Sequence, residues 1–192
     1  AEVIETACYA IRNLSVSLEN KIILGRCHAC EMVVSCLKKF GSILTLAIAA
    51  LGSIANLASD EKNRAKLGSA TACDSVVWSL KNYGAESAPV ALQGLAACLN
   101  LSFSGENKSR FGKLPTSATI LMVLRAHKTN VQVIEAGTLA LVKLISGNEE
   151  NKKKLAAVNP EFFLQSIYRN KNQSQLARAQ ARKLLQILPV KV

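Results

Sequence analysis

Aromatic side chains are scarce in this chain of 192 residues, which holds five Phe, three Tyr and one Trp. Strands of propellers and sandwiches draw on aromatic and β-branched residues, so this poverty argues against an all-β architecture. Only two histidines occur, His28 and His127, in different parts of the chain. No nucleophile or acid is placed beside either, which leaves acid–base and nucleophilic catalysis without a footing. A phosphate loop and a dinucleotide fingerprint are also missing. The reading is of a non-enzymatic protein that needs no cofactor. Long apolar runs are absent as well. The stretch from Ile43 to Ala50 is interrupted by Thr45 and followed by Gly52 and Ser53, too short to cross a bilayer. No initiator Met or leader opens the chain, and Ala1 falls inside an expected helix, as in a piece excised from a longer array.

What is present is self-similarity. Four copies of a short pattern recur every 43 or 44 residues: Asn13-Leu14-Ser15 with Glu19-Asn20-Lys21, Asn56-Leu57-Ala58-Ser59 with Glu61-Lys62-Asn63, Asn100-Leu101-Ser102 with Glu106-Asn107-Lys108, and Lys143-Leu144-Ile145-Ser146 with Glu150-Asn151-Lys152. A period in the forties belongs to helical solenoids or propeller blades, and the Ala, Leu, Ser and Lys between the markers favour helices. The hydrophobic fraction of 49% fits an array whose units have apolar faces toward two neighbours.

Within a copy, Glu61 to Leu67 predicts a short helix stopped by Gly68 in a left-handed conformation, with Gly25 and Gly112 as counterparts. A second helix is expected from Cys73 to Asn82, matching Met32 to Lys39. A longer third helix is expected from about Leu44 to Ala58, and again from Ala88, about Asn130 and about Gln173. Pro89 falls in a first turn, where its missing amide costs nothing. The fourth copy departs from the pattern, with Ala156-Ala157 where Gly is expected, and Asn159-Pro160 opening its second helix; it closes at Leu188-Pro189.

Short, middle and long helices, with Gly after the first and Asn-Leu-Ser near the end of the third, resemble the armadillo repeat. The resemblance covers nearly the whole chain and implies an all-α, right-handed solenoid of three helices per repeat. In that register residues 1–192 form one array. Residues 1–16 are the last helix of a truncated repeat, 19–59, 61–102 and 106–146 are full repeats, and 149–188 is the last. Third helices of this family line a concave groove, and an Asn near each helix end pairs with the backbone of an extended peptide. The matching positions are Asn13, Asn56 and Asn100, where the competing reading is that each Asn brackets its own repeat. One turn earlier stand Tyr9, Gly52, Ala96 and Leu139, so the Trp ladder of nuclear-import adaptors is absent. The resemblance is closer to the β-catenin type of use, in which basic groove residues receive acidic segments. Arg12, Lys143, Gln186, Arg182 and Lys183 are the candidates, although Arg182 and Lys183 also read as ordinary solvated residues.

Charge points the same way. Residues 1–96 hold nine Lys and Arg against eight Asp and Glu, while residues 97–192 hold fifteen against five, so nearly all of the net +11 is C-terminal. Nucleic acid is a possible but disfavoured partner, because the basic residues are scattered and few aromatics are available to stack bases. The run Lys152-Lys153-Lys154 belongs to a first helix, away from the groove. A regulatory, autoinhibitory or oligomerisation segment of a larger protein is the other alternative, with end-to-end self-association through Val3, Ile4, Ile11, Leu184 and Ile187. Six cysteines in so aliphatic a chain read as reduced thiols of a protein of the cytoplasm or also the nucleus. Cys27-His28-Ala29-Cys30 suggests zinc, yet a structural site wants four ligands and the next cysteine, Cys36, is expected on the following helix with no matching pair elsewhere; Cys30 recurring as Cys73 reads as a small buried repeat position. Trp78, on a second helix, reads as core or outer packing, and the sequons at Asn13, Asn100, Asn107 and Asn172 as unused.

Overall fold

A computed structural model describes residues 2–188; Ala1 and the expected stop at Pro189 lie outside the described residues. The apolar periodicity resolves into α1 (Glu2–Leu14), followed by four layers of three helices each among the described residues. These are α2 (Leu18–Arg26), α3 (Ala29–Phe40) and α4 (Leu44–Leu57), then α5 (Glu61–Ser69), α6 (Ala72–Tyr83) and α7 (Ala88–Leu101). The third layer is α8 (Gly105–Gly112), α9 (Thr116–Ala126) and α10 (Val131–Ile145), and the fourth α11 (Glu149–Ala157), α12 (Glu161–Arg169) and α13 (Gln175–Ile187). The described residues contain no strand.

The third helices α1, α4, α7, α10 and α13 pack in succession, each against the next. Between two neighbours a helix must be apolar on most of its circumference, which explains the composition of α4: Leu46, Ala47, Ala49, Ala50, Leu51, Ile54 and Leu57 are all fully buried. The small residues among them let helices approach closely. Pro89 stands in the first turn of α7, where Ser87 caps the helix by accepting from the Val90 amide.

The first helices are polar and short, and their burial depends on one repeated asparagine. Asn63, Asn107 and Asn151 are almost fully buried. The amide N–H of each donates to the N-cap side chain of its own helix: Asn63 to Asp60 at 2.9 Å, Asn107 to Ser104 at 3.3 Å, Asn151 to Asn148 at 2.9 Å. Each side chain then reaches into the preceding layer. Asn63 Nδ2 donates to the Lys21 carbonyl at 2.8 Å, Asn107 to Arg64 at 3.2 Å, and Asn151 to Lys108 at 2.9 Å and Leu144 at 3.2 Å. Satisfying a buried carboxamide in this way ties adjacent layers in register.

The glycines of the first helices have a different role from the one the sequence suggests. Gly25, Gly68 and Gly112 lie inside α2, α5 and α8, and the left-handed residues among the described ones are His28, Thr71, Asn159 and Gly147. What demands glycine is space. A Cβ on Gly25, Gly68 or Gly112 would collide with the carboxamide of Asn63, Asn107 or Asn151. The fourth copy carries Ala156 at this place. The chain reverses between first and second helices through His28 and Thr71, both with positive φ, and through Asn159 in the fourth copy. Asn159-Pro160 opens α12 as expected, with Pro160 at the N-cap.

All six cysteines are free. Cys30 and Cys73 are fully buried at equivalent places, their thiols facing the Asn63 and Asn107 carbonyls at 3.8 and 4.0 Å. Cys27 is exposed while Cys30 is interior, so the Cys27-His28-Ala29-Cys30 segment does not converge on a point. Among the described residues no group of three His, Cys, Asp or Glu could hold a metal, and no helix is long and apolar enough to cross a membrane. Trp78 sits on the outer face of α6, half exposed and edge-on to Tyr83 at 5.7 Å between ring centres. Asn107 is sequestered by the interlayer bond, which leaves no room for a glycan at that sequon.

Candidate groove along the third helices

Counting from the N-caps Ile43, Ser87 and Asn130, the ladder register falls on Asn56, Asn100 and Lys143. Asn56 and Asn100 are half-buried and already donate across the layers, Asn56 Nδ2 to the Arg12 carbonyl at 2.9 Å and Asn100 Nδ2 to the Ala55 carbonyl at 2.8 Å. The bracketing role therefore exists, and it runs to the preceding layer rather than within the repeat. One amide N–H and the Oδ1 of each side chain are left over from that bond. Asn13, at the end of α1, is exposed.

Gly52 stands one turn before Asn56, and a Cβ there would meet Arg12 Nε at 2.6 Å and Gln93 Oε1 at 2.9 Å. The missing side chain lets Arg12 from α1 and Gln93 from α7 lie across α4 from opposite sides. Tyr9 is half-buried on the same helix as Arg12. Ala96 and Leu139 hold the equivalent places on α7 and α10.

At the far end two placements shift. From the N-cap Ser174 the ladder register on α13 falls on Ile187, and Gln186 is one residue short of it. Arg182 shares the register of Leu51, Leu95 and Thr138, positions that the other third helices bury against a neighbour, and it is exposed. Lys183 has the register of Gly52, Ala96 and Leu139. Glu135 on α10 is engaged by the Ser174 hydroxyl, which donates to Oε2 at 2.6 Å.

Lys143 is surrounded by residues that sequence reading did not single out. Its Nζ lies 3.7 Å from the centre of the Phe103 ring, and the Arg64 guanidinium carbon lies 5.4 Å from the same ring. Arg64 donates through Nε to the Ala58 carbonyl at 2.8 Å and through a terminal nitrogen to Ser59 at 3.1 Å. Lys108 Nζ donates to the Ser146 carbonyl at 2.5 Å, at the end of α10. Burial first, and the Lys143 charge second, hold the Lys108 amine below the ordinary lysine pKa. None of these three cations is in an ion pair; the described pairs are His28 with Glu31, Arg110 with Glu106, Lys152 with Glu149 and Lys154 with Glu150. The last two occupy two of the three lysines of the 152–154 run on α11. A signal for the missed residues was present: Arg64 and Lys108 follow the marker asparagines, and Phe103 stands where other copies have Val16, Ser59 and Gly147.

No protein-family model and no curated protein matches this chain. Among solved structures it is similar to a designed armadillo repeat protein, with 22% identity and a TM-score of 0.84 over 98% of this chain and 76% of that one. At that identity the likeness is one of fold, and the fold of this chain is the armadillo-type α-solenoid.

Proposed function

We propose that the chain is a non-catalytic protein-binding scaffold whose third-helix groove takes an extended, acidic protein segment. One observation carries this reading: a row of half-buried amides, Asn56 and Asn100, is bounded by two half-buried cations without ion-pair partners, Arg12 over Gly52 and Lys143. Amide side chains offer a donor and an acceptor to any main chain, and unpaired cations favour carboxylates. Lys183 continues the row. Arg182 adds positive charge on α13 from outside that row, and Gln186 adds a neutral amide beside it. The free, buried thiols suit a reducing compartment, cytoplasm or nucleus.

Fluorescence anisotropy with a labelled twelve-residue Glu-rich peptide tests the proposal. Lys143→Glu is expected to weaken binding at least tenfold at low salt and far less at high salt, because screening removes the Coulombic part. Asn56→Ala with Asn100→Ala is expected to weaken binding at both salts while circular dichroism stays helical. Unchanged affinity in both variants would refute the groove. Tighter retention of a single-stranded oligonucleotide than of the peptide would favour the basic surface of residues 97–192 as a nucleic-acid interface instead.

A further inference from the structure

We propose that Arg64 and Lys143, both against the exposed ring of Phe103, together with Lys108, whose amine is held at the end of α10, form a site for one phosphorylated side chain of an extended protein segment lying in the groove. The inference rests on the groove reading above and names a chemical feature of the partner.

The group is a departure from the repeat. At the ladder register the two preceding third helices have Asn56 and Asn100, and only α10 substitutes a cation, Lys143. Before the N-caps of the first helices stand Val16, Ser59, Phe103 and Gly147, so the aromatic ring also occurs once. The two departures meet, with Lys143 Nζ 3.7 Å from the Phe103 ring centre. The ring in turn brings in Arg64, at 5.4 Å, and so links the first helix of one layer to the third helix of the next.

The three cations come from α5, α8 and α10, and none has an acidic partner among the described residues. The carboxylate nearest in sequence to Lys108, Glu106, is paired with Arg110 at 2.6 Å. Arg64 and Lys108 are fixed by bonds to helix-end carbonyls, which positions their charges and leaves further N–H groups on each. Charge of one sign is thus concentrated, and the Lys108 amine, held below its ordinary pKa first by burial and second by the Lys143 charge, lies within reach of that charge. A single carboxylate would neutralise one of three charges. A phosphoryl group brings about −1.5 to −2 charge and three acceptor oxygens, and a planar guanidinium beside two ammonium groups suits that tetrahedral acceptor. Phe103, at 54% exposure, shields one side and keeps Lys143 extended toward the site.

The test is an NMR titration of the full chain with three twelve-residue Gly/Ser peptides that differ at one central residue, phosphoserine, Glu or Ser, alongside the Glu-rich peptide above. The expected result is at least tenfold tighter binding of the phosphoserine peptide than of the Glu peptide, with shifts centred on Phe103 and Ser104. Lys143→Asn, which installs the residue found at Asn56 and Asn100, should abolish that preference and leave the spectrum folded; Phe103→Ser should reduce it. Equal binding of phosphoserine and Glu peptides would overturn the site while leaving the groove reading intact. A phosphoserine preference that survives Lys143→Asn would place the phosphate elsewhere and also overturn it. Absence of binding to every acidic peptide would remove the groove reading and this inference with it. Inorganic phosphate matching the phosphopeptide in affinity would contradict the requirement for an extended segment.

Discussion

The carboxamide of Asn107 occupies the space that a side chain on Gly68 would need. The two residues belong to successive first helices, and the asparagine, almost fully buried, completes the contact by donating to the Arg64 carbonyl at 3.2 Å. The same pairing recurs between Gly25 and Asn63 and between Gly112 and Asn151. Layers of this solenoid are therefore locked by glycine in one unit and asparagine in the next.

Gly68→Ala should destabilise the chain by about 2–4 kcal/mol, through overpacking and the loss of a buried hydrogen bond. Gly105→Ala is the internal control, since a Cβ there meets nothing within 4 Å; it should be neutral or stabilising by up to about 1 kcal/mol. Urea denaturation of both variants, with Asn107→Ala alone and combined with Gly68→Ala, checks the contact. A double-mutant cycle without coupling would show that the two residues act independently.

Thr71 holds a φ of 67°, a left-handed conformation that a β-branched residue adopts only at a cost. Thr71→Asn should raise stability by about 0.5–1 kcal/mol, because Asn tolerates that region better. Thermal unfolding should show a higher Tm; a lower one would mean that the threonine makes a contact worth more than the strain.

Alkaline lability should be pronounced. Burial pushes the thiols of Cys8, Cys30 and Cys73 up to about 12, and that of Cys98 upward as well. A group whose folded pKa is raised contributes stability that is complete below its unfolded value and is lost as pH rises toward the folded one. The loss should therefore begin near pH 9 and proceed at up to about 1.4 kcal/mol per pH unit for each thiol. Lys108, whose pKa is lowered, acts in the opposite sense as a single group. Urea midpoints between pH 8 and 11 should fall steeply, and Cys30→Ala with Cys73→Ala should flatten the slope; a parallel decline in that variant would assign the effect to other groups.

Thiol accessibility should divide the cysteines. Cys27 is exposed, Cys36 half-buried, and Cys8, Cys30, Cys73 and Cys98 interior. A thiol reagent added to the native chain should modify Cys27 rapidly, Cys36 more slowly and the other four only on unfolding. Rapid modification of all six would mean that the layers open easily.

The repeat period, the three-helix unit and most helix spans were legible because they follow from spacing: α4, expected from Leu44 to Ala58, runs Leu44–Leu57, and α7 begins at Ala88 as Pro89 requires. The purpose of Gly25, Gly68 and Gly112 was not legible. A glycine near a helix end suggests local backbone freedom, whereas these answer to an asparagine about forty residues later, in another layer. At the last helix the start, expected at about Gln173, lies at Gln175, and counting from the N-cap Ser174 sets Ile187 rather than Gln186 level with Lys143. Arg64, Phe103 and Lys143 come from three places in sequence and meet only through stacking, so no linear motif contains them.

The most direct measurement is the map of amide chemical-shift changes on adding the Glu-rich peptide. The account predicts shifts that run along α1, α4, α7 and α10 through Arg12, Asn56, Asn100 and Lys143, with the outer helices α3, α6 and α9 undisturbed. Shifts confined to Lys152, Lys153 and Lys154 on α11, or to the outer face around Trp78, would contradict it.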